Sequence, residues 1–330
     1  MLVPSEPALV LAPMEGVTDA PMRAFQGASG AFTYAVTEYL RIGHSIPGRN
    51  AIWRHVPELR TGARTATGLP VQVQLLGGDP GRMAEAAVRV HEAGATAIDI
   101  NFGCPAPTVN RHDGGATLLK YPCRLREIVS AVRAALPASV PLSAKLRLGW
   151  DDVEDIYQNA AMSAEGGANW LTIHARTRTQ GYAPPVYWPL IGRVRERLNV
   201  PVIANGDIRT VDDFRRCRDE TGCRHFMLGR GALADPRLAG RVAAELGLVP
   251  PEWDDGPIEW GRELRRLEEW TPAIFDGPPD KAVLRLKQWL RLAAAYGTFS
   301  LFDQVKRAAS PGEVFAVLDD ALSPAGCRTG

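Results

Sequence analysis

The run Ala97-Ile98-Asp99-Ile100-Asn101-Phe102, closed by Gly103-Cys104-Pro105, is a short β-branched segment that stops at a turn. Upstream of it, Pro80–Ala93 has helical period, with Met83, Ala87, Val90 and His91 on one side, and Val71–Leu76 is another strand-like run. Downstream the unit repeats. Arg124–Leu136 places Leu125, Ile128, Val129 and Val132 on one face and leads into Leu142–Leu148. Working outward, Ala8–Pro13, Phe32–Tyr39, Trp170–Arg176, Val202–Asn205 and His225–Leu228 complete a set of eight strands. Eight strands alternating with helices over roughly 240 residues predict an α/β fold, a parallel (β/α)8 TIM barrel. The connection Arg41–Pro70 is longer and less regular, and is expected to lie as a loop over the barrel mouth.

The pattern changes at LVPPEWDDGP (248–257), whose prolines, aspartates and glycine are a linker composition. After it come the helical stretches Ile258–Thr271, Lys281–Tyr296, Ser300–Arg307 and Pro311–Leu322. The expected organisation is therefore a barrel over 1–248 and a smaller, all-helical C-terminal domain over 249–330. The chain's 330 residues fit that division, since a bare barrel needs only about 250.

A 45% hydrophobic and 23% charged chain is ordinary for a globular protein, which excludes disorder, collagen and coiled coil as the main architecture. A net charge of +1 excludes a polycationic nucleic-acid binder but leaves room for a local basic face. Of the 38 basic residues only five are lysines; arginine suits phosphate recognition, and genomic composition produces the same bias. Five cysteines without CxxC spacing argue against a disulfide framework and against a metal site, so a reducing compartment is expected. Met1–Pro13 has no basic n-region and no apolar run reaches about 18 residues, so a soluble cytoplasmic protein without membrane contact is expected.

In such a barrel the chemistry sits at the C-terminal strand ends. Those ends carry Pro13-Met14-Glu15-Gly16, then Glu38 and Arg41, Gln74 within strand three, Asn101 to Pro105, Lys145 and Arg147, His174 and Arg176, Asn205-Gly206-Asp207, and Gly229-Arg230-Gly231. Polar groups at seven of the eight ends can converge, which a structural barrel does not need. The glycine-rich loops after strands seven and eight suit a phosphate, with Arg230 adding charge, although tight turns use glycines too. Lys145 and Arg147, at alternate positions, point to the same side. A buried Lys145 needs a phosphate, a carboxylate or an anionic flavin ring, or else an ion pair with Glu38 or Asp99. Cys104 has three readings: a core thiol, a nucleophile activated by His112 or His174, or a general acid, since an ordinary thiol is protonated near pH 7. His174 is either functional or a satisfied core histidine. Cys123, Cys217, Cys223 and Cys327 read as structural or incidental.

APMEGVTD (12–19), VQLLG (73–77), NFGCP (101–105), GGATLLK (114–120), KLRLGW (145–150), HARTRTQGY (174–182), VIANGDI (202–208) and LGRGAL (228–233) together resemble the tRNA-dihydrouridine synthases. RLGWD (147–151), RTRTQGY (176–182) and LKQWL (286–290) resemble the bacterial dihydrouridine synthase C branch, whose members modify uridine 16 of the tRNA D-loop. The resemblance implies a flavin oxidoreductase with tightly bound FMN that reduces uridine in tRNA, with NADPH as transient reductant. Carried over by position, Pro13, Met14, Glu15, Gln74, Lys145, His174, Asn205, Gly206, Asp207, Gly229 and Arg230 would bind FMN. Arg41, Asn101, Arg147, Arg285, Lys287 and Lys306 would touch RNA or the target base. Hydride would pass from the flavin to C6 of uracil and a proton from Cys104 to C5, which selects the acid reading of Cys104. The target base must leave its stack to reach the flavin, at a cost of a few kcal/mol. One departure stands out: Asn110-Arg111-His112-Asp113 occupies a loop where relatives carry small residues, which stiffens that loop or adds an RNA contact.

The segment Lys281–Arg307 carries six basic residues and one acid, Asp303, and is the basic patch that the global charge conceals. On a helical wheel Lys281, Arg285, Lys287 and Arg291 lie opposite Val283, Leu286 and Leu290, so one face packs and the other meets phosphates. Two other functions compete: an FMN barrel acting on a free pyrimidine, as dihydroorotate dehydrogenases do, which would not need that helix, and a non-catalytic tRNA-binding protein. A monomer without an obligate protein partner is expected.

Overall fold

A computed structural model describes residues 1–110, 114–250, 258–271 and 279–322. Its strands are β1 (Ala8–Leu11), β2 (Tyr34–Val36), β3 (Leu40–Arg41), β4 (Val71–Leu76), β5 (Ile98–Phe102), β6 (Leu142–Arg147), β7 (Trp170–His174), β8 (Val202–Asn205) and β9 (His225–Leu228). Consecutive strands pair in parallel except β2 and β3, which both pair with β4, and β1 also pairs with β9. The sheet therefore closes into the expected eight-stranded barrel, with helices outside.

The second strand differs from the expected Phe32–Tyr39. It breaks after Val36, and β3 resumes beside the top of β4, with Leu40 opposite Leu75. Thr37 is the cause. Its Oγ1 accepts from the Gln74 backbone N–H at 3.0 Å, replacing a ladder carbonyl, and the chain is free to turn Glu38 and Tyr39 into the mouth.

Period-two alternation divides every strand between two cores. Leu142, Ala144 and Leu146 of β6 face outward into a large apolar layer against the helices, as do Val73 and Leu75 of β4 and Ile98, Ile100 and Phe102 of β5. The inward residues form a smaller apolar cluster of Val10, Tyr34, Val36, Trp170, Ile203 and Met227. Opposite it, β4, β5 and β6 turn Gln72, Gln74, Asp99, Asn101 and Ser143 inward, all buried. One half of the barrel interior is thus apolar and the other is a polar, hydrogen-bonded wall.

The Arg41–Pro70 connection is not a loop over the mouth. It contains a helix, Arg49–His55, and a 3-10 turn, Pro57–Thr61. Ile52, Val56 and Leu59 join the outer core, and Trp53 donates to the Ala93 carbonyl at 3.0 Å. Its apolar spacing sends it to the flank of the barrel.

Beyond the barrel lie the helices Trp260–Trp270, Pro279–Tyr296, Phe302–Val305 and Pro311–Leu322. Most of the 248–257 linker lies outside the described residues. The C-terminal helices share a core with the barrel: Trp289 stacks edge-on against Phe25 at 4.9 Å and Trp260 at 5.7 Å, and donates to the Leu233 carbonyl at 2.7 Å. Met22, Phe25 and Leu233 belong to this cluster, so the region docks on the helix after β1 and the short turn after β9. Among the described residues no helix is long and apolar enough to cross a membrane.

Candidate active site

A cavity of about 570 Å³ opens at the C-terminal ends of the strands. Pro13, Met14, Glu15, Gln74, Asn101, Cys104, Lys145, Arg147, His174, Asn205, Gly206, Asp207, Gly229 and Arg230 line it, fourteen of the eighteen residues named from sequence. Register brings them together: Asn101 pairs with Lys145 across β5 and β6, and Arg147, His174 and Asn205 pair in succession across β6, β7 and β8.

One wall carries Cys104. Its backbone N–H donates to Asn101 Oδ1 at 2.8 Å, and its carbonyl accepts from Ala116 N–H at 3.1 Å. Gly115, with φ of +60°, lets the following turn pass beneath; a Cβ there would sit 2.9 Å from the Cys104 carbonyl. Burial pushes the Cys104 thiol up, while hydrogen bonds from the Ala106 backbone and the Tyr39 side chain pull it partly back. A half-buried thiol that keeps its proton at neutral pH suits donation better than nucleophilic attack. Of the two bases considered from sequence, His112 lies outside the described residues, as do Arg111 and Asp113. His174 is held neutral well below its usual range by burial and by the charges of Arg147, Lys145, Arg176 and Arg230.

The floor carries Lys145. Neither the Glu38 nor the Asp99 ion pair forms, and among the described residues the ammonium has no hydrogen-bond or ion-pair partner. Burial and the Arg147 charge bring its pKa down to about 8, against the pull of Asp99 and Cys104. Arg147 spends its donors on protein: Nε to the Gly103 carbonyl at 2.9 Å, Nη1 to the Thr177 and Gly181 carbonyls at 3.0 and 2.8 Å. It therefore ties the Cys104 turn to the loop after β7.

The opposite corner is built on Asp207, whose φ of +51° places it in the left-handed region. Its carboxylate pairs with Arg176, with Arg209 at 3.0 Å and with Arg230 at 2.9 Å. Burial works against the charged form, but the Arg176 hydrogen bond and the three guanidinium charges hold the carboxyl below its usual range. Three cations on one anion leave a surplus of positive charge. Arg176 Nη1, Arg209 Nε and Arg230 Nη1 are buried donors without a partner among the described residues. Gly206, with φ of +119°, admits no side chain without strain beside them. Arg230 lies between Tyr182 and Tyr296, with its guanidinium 4.0 and 4.4 Å from the two ring centroids.

Four residues named from sequence lie elsewhere. Arg41 is exposed at the end of β3, donating to the Thr108 carbonyl at 3.3 Å and so touching the loop beyond Cys104. Lys287 is half-buried, and Lys306 is exposed in an ion pair with Asp303. Arg285 corrects the helical-wheel reading. Val283, Leu286 and Leu290 pack as expected, but Arg285 is buried with them at 8% exposure, away from the open face that carries Lys281 and Arg291. Its Nη2 donates to Asp19 Oδ1 at 2.6 Å and to the Val17 carbonyl at 3.1 Å. A wheel treats every arginine as solvated, whereas this one meets a carboxylate of the barrel.

Sequence reasoning missed Tyr39, Tyr182, Arg209 and Tyr296 as parts of the site. Arg209 had a local signal, lying two residues after Asp207. Tyr39 and Tyr296 had none, because a strand break and a distant helix bring them in.

Residues 10–257 match the family described as dihydrouridine synthase (Dus). The chain is 44% identical over 285 residues to the tRNA-dihydrouridine(16) synthase of Pseudomonas putida, covering 86% of this chain and 87% of that one. It is 41% identical over 316 residues to the protein of the same name from Shewanella oneidensis, covering 95% and 98%. It is 39% identical over 327 residues to that of Ralstonia nicotianae, covering 96% and 97%. Among solved structures, histamine dehydrogenase from Rhizobium sp. 4-9 superposes with a TM-score of 0.54 at 15% identity, over 80% of this chain and 49% of that one, a likeness of fold alone.

Proposed function

The chain belongs to the dihydrouridine synthase family, and on that premise we propose that it reduces uridine to 5,6-dihydrouridine at position 16 of tRNA, with FMN as cofactor and NADPH as reductant. The observation that carries this reading is the pairing, across one cavity, of a proton-holding thiol with a cationic floor and corner that keep donors without partners among the described residues. The relatives' name supplies the position.

The residues fit an anionic flavin. Arg230, Arg176 and Arg209 at the Asp207 corner, with the Gly206 and Gly229 backbones, suit its phosphate. Lys145 and His174 suit the ring system, Lys145 as the charge that favours its reduced form. Pro13, Met14, Gln74 and Asn205 complete the cup. FMN, when bound, supplies the hydride for C6 of uracil. The rest belongs to the protein. Cys104 gives its proton to C5, so that one hydride and one proton saturate the double bond, and the thiolate is reprotonated from solvent. Arg147 and Asn101, which hold the Cys104 turn, stand beside the base they would orient.

The helical region 249–330 is the proposed tRNA-binding domain. Lys281 and Arg291 on its open face, with Lys287, Lys306 and Arg41, would meet phosphates; Arg285 acts by docking the helix. Incubating the FMN-loaded protein with unmodified tRNA and NADPH, then mapping by mass spectrometry, should find dihydrouridine at position 16. Dihydrouridine elsewhere refutes the position, and none at any position refutes the activity. Cys104→Ala turning over at near wild-type rate refutes the acid.

A further inference from the structure

Asp99 is a buried carboxylate to which the chemistry above gives no role. It stands inward on β5 at 2% exposure, below the cavity. Its Oδ2 accepts from Gln74 Nε2 at 2.7 Å, and its Oδ1 accepts from the Ser143 hydroxyl. Gln74 Oε1 in turn accepts from Asn101 Nδ2 at 2.7 Å. Asn101 Oδ1 accepts from the Gly103 and Cys104 backbone N–H groups at 2.9 and 2.8 Å. The barrel register makes this chain: β4 and β5 pair Gln74 with Asp99, and period two stacks Asn101 above Asp99 on the same inner face.

We infer that Asp99 is a positioning residue for Cys104, an acceptor-only group that sets the direction of the chain Asp99–Gln74–Asn101 and through it clamps the Gly103–Cys104 backbone. The inference rests on the reading of Cys104 as the reacting thiol. A carboxylate only accepts, and a backbone N–H only donates. Asp99 therefore makes Gln74 turn its amide NH2 downward and its oxygen upward. Asn101 must answer with its own NH2, which leaves its oxygen for the two N–H groups of the catalytic turn. Both ends of the chain demand the same polarity, and no other arrangement of the two amides satisfies them. Burial pushes the Asp99 carboxyl up to about 6, so at pH 7.5 it is still ionised and acceptor-only. The titratable groups bearing on it are Lys145, which favours the ionised form, and the neutral Tyr34 phenol, whose ionisation Asp99 opposes. The competing role, counter-ion to Lys145, would need neither Gln74 nor Asn101, and no Asp99–Lys145 ion pair forms among the described residues.

The two roles separate experimentally. Asp99→Asn removes the charge but keeps an oxygen for Gln74, with its NH2 turned to the Ser143 hydroxyl; Asp99→Leu removes the acceptor. The readout is hydrogen–deuterium exchange of the Gly103 and Cys104 amides in the FMN-loaded protein. Losing the clamp should speed exchange in Asp99→Leu by about tenfold or more, while Asp99→Asn stays within about threefold of wild type. Ser143→Ala, which touches Asp99 outside the chain, should also stay within about threefold. Wild-type exchange in Asp99→Leu overturns the inference, as does Asp99→Asn exchanging as fast as Asp99→Leu. If Asp99→Leu does not fold, Asp99→Ala removes the same acceptor with less bulk, and the same acceleration is required of it. Because the readout is backbone exchange, its failure is distinct from failure of Cys104 as the acid, which dihydrouridine formation by Cys104→Ala reports.

Discussion

Replacing Arg285 with Met removes a guanidinium but keeps most of the stem that packs in the helix interface. The lost groups are an ion pair with Asp19 at 2.6 Å and hydrogen bonds to the Val17 carbonyl at 3.1 Å and Gln288 Oε1 at 2.9 Å. Breaking a fully buried pair typically costs about 3–5 kcal/mol. Here the side-chain exposures are 7% for Arg285 and 35% for Asp19, so water recovers part of the Asp19 charge. Asp19 also keeps its capping bond from Met22 N–H at 3.1 Å. The expected loss is about 2–3 kcal/mol, a fall in the thermal midpoint of roughly 3–4 °C. The loss should appear as loosened docking of the helix against the barrel, read by proteolysis within 258–271 and 279–322. The contrast is Lys281→Ala with Arg291→Ala, on the open face. That pair should leave the midpoint within about 1 °C and reduce the slope of log affinity for tRNA against log salt by about one to two. If Arg285→Met left the midpoint unchanged while lowering the salt slope, Arg285 would be a phosphate contact and the docking argument would be wrong.

Three further outcomes follow from the same geometry. Lys145, with a pKa of about 8, is charged below that pH, so FMN affinity should hold from pH 7 to 8 and then fall up to about tenfold per unit; fluorescence titration of the apoprotein checks this, and a slope that survives in Lys145→Met would sink it. The Tyr39 hydrogen bond lowers the Cys104 pKa, so Tyr39→Phe should slow alkylation of Cys104 at pH 8 and move its pH profile upward, followed by mass spectrometry of the Cys104 peptide. An unchanged profile would mean the phenol does not reach the thiol. Asp99 has a folded pKa of about 6, raised from 3.8, so the folded state holds the extra proton and loses stability as pH rises between those values. Asp99→Asn should therefore raise the thermal midpoint at pH 7.5, with the gain vanishing below about pH 4; an equal gain at both pH values would refute the shift.

Much of the site was legible because a parallel barrel puts its chemistry at strand ends, and strand ends are marked locally. Lys145 and Arg147, two residues apart, had to share a face, and the glycines around Asp207 and Arg230 had to bend the chain there. The readings that failed or were absent share another character. Whether Arg285 was a free cation depended on Asp19, 266 residues away in sequence. Whether Lys145 was paired depended on Asp99 being held instead by Gln74 and Ser143. The Arg41–Pro70 segment read as a loop because the helical spacing of Ile52, Val56 and Leu59 is short and set among prolines and glycines, and the flank of the barrel is what orders it.

Periodicity and strand-end composition by themselves determined the barrel, the helical region after it, and Cys104, Lys145, His174, Asp207 and Arg230 as groups that converge, because each depends on neighbours within a few residues. Which charges are spent and which remain was settled by contacts formed on folding. Arg285 is consumed by Asp19, Asp207 by three arginines, and Asn101 by the Cys104 turn, while among the described residues Lys145 and the remaining buried donors of the arginine corner stay open. A hydrogen bond or ion pair is set by distance in space, and on a closed barrel groups at the same level can be far apart along the chain.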